Sequence, residues 1–204
     1  METINNESLH LDETDEEVFQ GYVEDLKLTP ESFEKKILDI GAGSAQFAKW
    51  ASEHEISNNI FSLEPFKENI PEGNKNIVGV AESLPFDDES FDLVVSKAAI
   101  PNIYLAEGSP EEILRKVTSS FHEMIRVLKP RGEIRLARVL FGNIYEPQII
   151  LSSIVQKVLQ DLVNNNNIEI EKIRTPSDDT YEYNGHVKTG LLAEAYLIII
   201  HKNV

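Results

Sequence analysis

The fold is decided by the stretch ILDIGAGSA, residues 37–45. It starts with a short apolar run that predicts a buried strand, and it continues through a turn with glycines at positions 41 and 43. Glycines in such a turn permit positive φ and let a ligand lie against bare backbone. Free N–H groups at the start of the following helix favour an anionic group such as a carboxylate or phosphate. The stretch therefore predicts a ligand-binding turn in an open α/β sheet.

Two acidic residues narrow the kind of ligand. Asp39 lies at the carboxyl end of the first strand, where open α/β sheets bind their ligands, and it suits an ammonium or sulfonium group. Glu64 ends the second strand, 25 residues later, and suits the two hydroxyls of an adenosine ribose. A dinucleotide fingerprint would need glycine at the position of Gln46, so a nicotinamide-dependent oxidoreductase is a remote alternative.

The rest of the chain alternates short apolar runs with helical patterns. Further strands are predicted at residues 60–63, 77–80, 91–95 and 134–140. Long helices are predicted over residues 110–128 and from Pro147 through Val163. Two last strands, around 168–173 and 195–201, have no helix between them and should pair antiparallel. We expect an α/β fold with a Rossmann-like seven-stranded, mostly parallel sheet, helices on both faces and an antiparallel last strand.

The N-terminal segment differs from the remainder. Residues 1–35 are rich in acidic side chains and contain one amphipathic pattern that predicts a cap helix. Residues 36–204 then form the predicted Rossmann-like domain. The acidic run is interpreted as a solvated face, and a docking tail is the alternative.

Composition excludes several classes of function. The 35 acidic against 19 basic residues give a net charge of −16, which opposes binding to nucleic acid or anionic membranes. The absence of cysteine excludes disulfides, thiolate metal sites and a cysteine nucleophile. No histidine has a partner at metal-ligand spacing, so no metal is expected. Without a signal peptide or a membrane-spanning stretch, the expected location is the cytoplasm.

Three further motifs complete a family resemblance. They are GVAESLPF at residues 79–86, SFDLVVS at 90–96 and RVLKPRG at 126–132. Together with LDIGAG at 38–43 and LEP at 63–65, they make the sequence resemble the class I S-adenosylmethionine-dependent methyltransferases, in the subgroup called methyltransferase type 11. The resemblance covers roughly residues 36–140.

The resemblance implies a cofactor, S-adenosylmethionine, and a set of residues that bind it. Asp39 would hold the methionine ammonium, the glycine turn would close on the methionyl part, and Glu64 would accept the ribose hydroxyls. The implied cofactor residues are Asp39, Gly41, Ala42, Gly43, Glu64, Pro65, Ala81, Glu82 and Ser96. The implied acceptor-side residues are Lys97, Asn102, Tyr104 and His186. No catalytic residue is assigned.

Three positions depart from the family pattern. Ala45 and Arg131 stand where glycines are usual. Val80 replaces an aspartate that often binds the adenine amino group, a hydrogen bond worth about 1 kcal/mol. None of the three removes the implied cofactor site.

The expected function is methyl transfer to a small-molecule acceptor by in-line displacement, with S-adenosylhomocysteine as the product. Such a step mainly needs alignment and exclusion of water, so a fixed general base is not required. The alternative is a catalytically inactive methyltransferase-like scaffold, which the changes at Ala45 and Val80 would allow. The presence of Asp39, Gly41, Gly43 and Glu64 counts against that alternative. A monomer or weak dimer is the default expectation.

Overall fold

The computed structural model describes residues 13–106, 108–142, 146–165, 168–175, 181–183, 186–188 and 194–203. The helices are α1 (Asp15–Asp25), α2 (Gln46–Glu53), α3 (Pro110–Val127) and α4 (Glu146–Asn165), with short 3₁₀ turns at Pro30–Glu34 and Asn102–Ala106. The strands are β1 (Ile37–Ile40), β2 (Ile60–Glu64), β3 (Asn76–Val78), β4 (Phe91–Lys97), β5 (Leu128–Phe141), β6 (Ile168–Thr175), β7 (Tyr181–Tyr183), β8 (His186–Lys188) and β9 (Glu194–Lys202).

Within the described residues, seven strands form one sheet in the order β3-β2-β1-β4-β5-β9-β6. Strands β1 to β5 pair in parallel, and β9 runs antiparallel to both of its neighbours. The predicted fold is therefore confirmed, including the antiparallel last strand. The connection between β6 and β9 contains a separate hairpin of β7 and β8, which the sequence pattern did not predict.

Side chains along the central strands alternate between two apolar layers. Leu38 and Ile40 of β1 pack in one layer with α3 and α4, whereas Ile37 packs in the other with α1 and α2. Successive side chains of a strand point to opposite faces, so this division places helices on both faces of the sheet. All four residues of β1 are buried, as expected for a central strand of a parallel sheet.

The cap helix α1 packs on α2 through aromatic rings. Tyr22 stacks on Phe47 with ring centroids 4.3 Å apart, and Phe19 stacks on the same ring at 5.7 Å. Thr14 and Glu17 form a capping box that satisfies the first N–H groups of the helix. These contacts fix α1 above the carboxyl end of β1.

Charged side chains of the sheet hold the far end of α1. Arg135 donates to the backbone carbonyls of Leu26 and Lys27, and the Nε of Arg138 lies 2.8 Å from the carboxylate of Asp25. The position of α1 therefore depends on β5, more than 100 residues further along the chain.

Candidate functional site

The predicted cofactor residues meet where the strand order changes direction, between β1 and β4. In an open α/β sheet the carboxyl ends of the strands at this point form a crevice that binds ligands. Asp39 lies in β1, Glu64 ends β2, and Ser96 with Lys97 ends β4. The structure thus brings together residues that are up to 58 positions apart, from Asp39 to Lys97.

The glycine turn after β1 has the geometry of a ligand cradle. Gly41 has a φ of +77°, and a Cβ there would lie 2.4 Å from the Cβ of Ala99, so only glycine fits. Gly43 has a φ of +54°, but a Cβ at this position would meet nothing within 4 Å. Half-buried Ala42 lies between them, and its N–H donates to the carbonyl of Leu63 at 3.1 Å. Bare backbone at Gly43 therefore borders open space.

Glu64 is buried beside this turn. Its Oε2 accepts a hydrogen bond from the N–H of Gly43 at 3.2 Å, and its Oε1 accepts one from the side chain of Asn69 at 3.1 Å. The carboxylate is thereby held at the edge of the cradle. Asn69 was not predicted from the sequence, because it lies in a polar turn without a recognisable motif.

Asp39 is fully buried and only half satisfied. Its Oδ1 accepts a hydrogen bond from the Tyr22 hydroxyl at 3.3 Å, whereas its Oδ2 has no hydrogen-bond partner among the described residues. Burial raises the pKa of Asp39 from 3.8 to about 7, and the bond from Tyr22 and the charge of Lys97 oppose this rise. A buried carboxylate oxygen without a partner is costly, so this site suits a ligand that brings a cationic donor.

Tyr22 is the contribution of the cap helix to the site. Its ring is buried, and burial together with the charge of Asp39 raises the pKa of its hydroxyl well above the usual 10.0. The hydroxyl therefore stays protonated and acts as a donor. The sequence pattern identified Tyr22 only as an apolar position of α1.

Lys97 lies next to Tyr22 on the acceptor side predicted from the sequence. Its Nζ is 5.5 Å from the ring centroid of Tyr22 and 3.7 Å from the carboxylate of Asp25. Its side chain is only 15% exposed. A cation is thus held near the Tyr22 ring, and its charge acts on Asp39.

Apolar surface follows the ends of β2 and β3. Pro65 is exposed, Phe66 is 58% exposed and Val80 is 45% exposed. Glu64 and Val78 are register partners, so the residues that follow them lie on the same edge of the sheet. Ala81 is buried and Glu82 half-buried in the next turn. Exposed large apolar side chains at such a place indicate an interaction surface.

Other predicted residues use their polar groups within the protein. Ser96 is fully buried, and its hydroxyl donates to the carbonyl of Ile40 at 2.8 Å. Asn102 uses its amide on the backbone of β5, donating to the Arg138 carbonyl and accepting from the Leu140 N–H. These contacts favour positioning roles for Ser96 and Asn102.

Tyr104 and His186 complete the predicted set. Tyr104 is 2% exposed and its hydroxyl contacts Ser120, so it is a core residue and does not line an open surface. His186 begins β8, and its side chain lies outside the described residues.

The structure gives two of the departures from the family pattern a physical cost. Ala45 has a φ of +59° and Arg131 a φ of +65°, so both lie in the left-handed region that glycine adopts more readily. A side chain at such a φ costs about 1–2 kcal/mol. Both residues therefore adopt a backbone conformation that glycine favours.

Other potential sites were sought among the described residues. A cavity of about 400 Å³ lies beside α2 and the turns before β2 and β3, and the predicted cofactor residues do not line it. In the part of the chain that the structure describes, no group of acidic and histidine side chains could hold a metal ion. None of the described helices is long and apolar enough to span a bilayer.

Comparison with known proteins identifies the domain. Residues 38–136, just under half of the chain, match the family model of a methyltransferase domain. Residues 38–136 are therefore similar to a methyltransferase domain. The match spans the glycine turn, Glu64 and β4, and it confirms the family resemblance derived from the motifs. No curated protein matches the chain.

Solved structures share the fold of this chain across most of its length. YcgJ from Bacillus subtilis has 19% identity and a TM-score of 0.55, covering 89% of this chain and 99% of its own. A SAM-dependent methyltransferase from Methanosarcina mazei has 20% identity and a TM-score of 0.52, covering 83% and 93%. A Haloferax volcanii complex of a putative methyltransferase with the Trm112 activator has 17% identity and a TM-score of 0.59, covering 93% of both chains. These findings support S-adenosylmethionine as the cofactor.

Proposed function

We propose that this chain transfers a methyl group from S-adenosylmethionine to a small-molecule acceptor. The observation that carries the proposal is the buried carboxylate of Asp39, whose free Oδ2 lies at the strand end that leads into the glycine turn. This combination fits a ligand with an ammonium group and an extended backbone-like part. The methionyl end of S-adenosylmethionine has both features.

The residues that would hold the cofactor follow the order of the strands. Asp39 would bind the ammonium, and the backbone at Gly43 would border the methionyl part because a Cβ there would fill open space. Glu64, fixed by Asn69, would accept the ribose hydroxyls. The adenine would then lie against the exposed apolar surface around Phe66, with Pro65, Val80, Ala81 and Glu82 along that edge.

Methyl transfer requires the protein mainly to align the acceptor with the methyl group of the cofactor. The cofactor supplies a methyl group on a positively charged sulfur that leaves as a neutral thioether. The protein must orient the acceptor in line with that methyl and exclude water, and such positioning can account for much of a rate enhancement. Lys97, whose Nζ lies 5.5 Å from the ring centroid of Tyr22, would face the acceptor in this arrangement.

A small acceptor agrees with the charge of the chain. A net charge of −16 disfavours a nucleic acid, because phosphate contacts dominate the affinity of such complexes. The short 3₁₀ turn Asn102–Ala106 after β4 leaves the acceptor side without a large lid among the described residues. We therefore propose a small molecule, and we expect a monomer or weak dimer.

The inactive-scaffold alternative receives no specific support from the described residues. The costs at Ala45 and Arg131 are small, and Val80 offers apolar surface where a hydrogen bond is lost. A buried acid whose pKa is strongly raised by desolvation, such as Asp39, is typical of a functional site.

The test has two stages. S-adenosylmethionine and S-adenosylhomocysteine are titrated calorimetrically into the wild type, with NADH as a negative control and Asp87→Ala as a matched control for loss of a surface carboxylate. Asp39→Ala and Glu64→Ala should weaken binding at least tenfold. Pools of small acceptors are then screened for release of S-adenosylhomocysteine. Wild-type protein that binds neither sulfur ligand would overturn the proposal.

A further inference from the structure

The cap helix reaches into the cofactor site through one polar atom. The Tyr22 hydroxyl donates to Oδ1 of Asp39 over a distance of 3.3 Å, and both side chains are buried. Tyr22 belongs to α1, outside residues 38–136 that match the family model. Neither the family match nor the sequence motifs assign a role to this residue.

The position of the hydroxyl is set independently of the site. The Tyr22 ring stacks on Phe47 at 4.3 Å, with the two rings inclined by only 12°. Helix α1 is held at its C-terminal end by Arg135, which donates to the carbonyls of Leu26 and Lys27. The donor is therefore positioned by packing and by the Arg135 contacts before any ligand arrives.

The hydrogen bond has two consequences for Asp39. It fixes the plane of the carboxylate, so that Oδ2, which lacks a partner among the described residues, is presented in one direction. It also favours the ionised form, and ionisation is what an ammonium ligand requires. The other charged groups that act on Asp39 are Glu64 from β2, which opposes ionisation, and Lys97 from β4, which favours it.

We propose that Tyr22 is a positioning residue of the cofactor site, whose hydroxyl orients the Asp39 carboxylate toward the ammonium group of an amino-acid ligand. The inference rests on the proposed function. It makes α1 a part of the binding machinery in addition to its role as a cover for the sheet. It also predicts that cofactor affinity falls at low pH, because Asp39 becomes protonated. The Tyr22 hydroxyl would set the pH at which this loss of affinity occurs.

The test is the pH dependence of S-adenosylhomocysteine binding, measured by calorimetry between pH 5.5 and 8. Tyr22→Phe keeps the stacked ring and removes only the hydroxyl. Loss of a hydrogen bond to a charged group should weaken binding about tenfold at pH 7.5. It should also move the midpoint of the acid limb upward by roughly one pH unit.

Phe19→Leu is the matched control. Phe19 is a buried aromatic residue on the same helix and stacks on the same ring, but it has no contact with Asp39 that would alter its charge. This variant should lower thermal stability while the midpoint of the acid limb stays at the wild-type value. Tyr22→Met also removes the hydroxyl and carries the same prediction if Tyr22→Phe does not fold.

The outcomes separate this inference from the proposed function. Wild-type protein that binds neither sulfur ligand would overturn both. Wild-type binding with an unchanged midpoint, and an affinity within threefold, in the hydroxyl-free variants would overturn the role of Tyr22 alone. A shifted midpoint in Tyr22→Phe, with none in Phe19→Leu, supports it.

Discussion

Replacement of Asp39 by asparagine should make the stability relative to wild type rise with pH, and it should weaken cofactor binding at least a hundredfold. Burial raises the pKa of this carboxyl from 3.8 to about 7, so folding makes it harder to ionise. The native state then binds the proton more tightly than the unfolded state does. Stability from this group is consequently greatest at low pH and is lost as the pH rises toward and through 7. Asparagine does not titrate, so the Asp39→Asn variant does not lose this stability as the pH rises.

The magnitude follows from the shift. With these two pKa values, linkage gives a loss of roughly 2–3 kcal/mol in the wild type between pH 5 and pH 8. The stability of Asp39→Asn relative to wild type should therefore rise by that amount over the same interval. The comparison between two pH values cancels any fixed cost of burying the amide. For a chain of 204 residues, this change in stability corresponds to a rise of about 5–10 °C in the melting temperature of Asp39→Asn relative to wild type between the two pH values.

Urea unfolding monitored by circular dichroism at pH 5 and pH 8 measures this difference. Asp92→Asn is the control, because Asp92 accepts hydrogen bonds from the Lys36 N–H and from Lys129 and its pKa is lowered. Asp92 stays ionised throughout this interval, so its variant should be destabilised equally at both pH values. If the difference between Asp39→Asn and wild type is the same at pH 5 and pH 8, the description of Asp39 as a buried, reluctantly ionised group is wrong.

Four further predictions concern the site and its surroundings. Gly41→Ala should lose about 2 kcal/mol or more in urea unfolding, because its Cβ would lie 2.4 Å from another methyl group at a positive φ. Gly43→Ala should lose only about 1 kcal/mol because its Cβ would meet open space, yet it should weaken S-adenosylhomocysteine binding at least tenfold; unchanged binding would contradict the cradle. Asn69→Ala removes a hydrogen bond to Glu64 and should raise the calorimetric Kd for the same ligand about fivefold without loss of fold, whereas an unchanged Kd would show that this bond is dispensable. Arg135→Ala should lower the free energy of unfolding by about 2 kcal/mol, since two carbonyls at the end of α1 lose a charged donor. A loss below about 0.5 kcal/mol would contradict the role of Arg135 in holding α1.

The sheet could be predicted from the sequence because its signals are local. The apolar runs around Leu38, Phe61 and Val94 each fill one buried strand, and the glycine turn with Asp39 and Glu64 marks the strand ends. The predicted ends of the strands were less accurate than their number and order. Strand β3 ends at Val78 because the chain turns there, and β5 begins at Leu128, six residues before the predicted 134.

The polar contacts of the site could not be predicted, because they join distant parts of the chain. Tyr22 fits an amphipathic pattern as an apolar residue, and nothing local shows that its hydroxyl meets a carboxylate 17 positions away. Asn102 was predicted to face the acceptor, but its amide binds the backbone of β5. Residue type indicates that a group can bond, whereas only the packing decides what it bonds to.

The central claim is that Asp39 makes this chain a binder of S-adenosylmethionine. The most direct measurement is a calorimetric titration of S-adenosylhomocysteine into the wild type and Asp39→Asn at pH 7.5. We predict micromolar binding to the wild type, and binding at least a hundredfold weaker to a variant that remains folded. Equal affinity for the two proteins, or no binding to the wild type, would contradict the account.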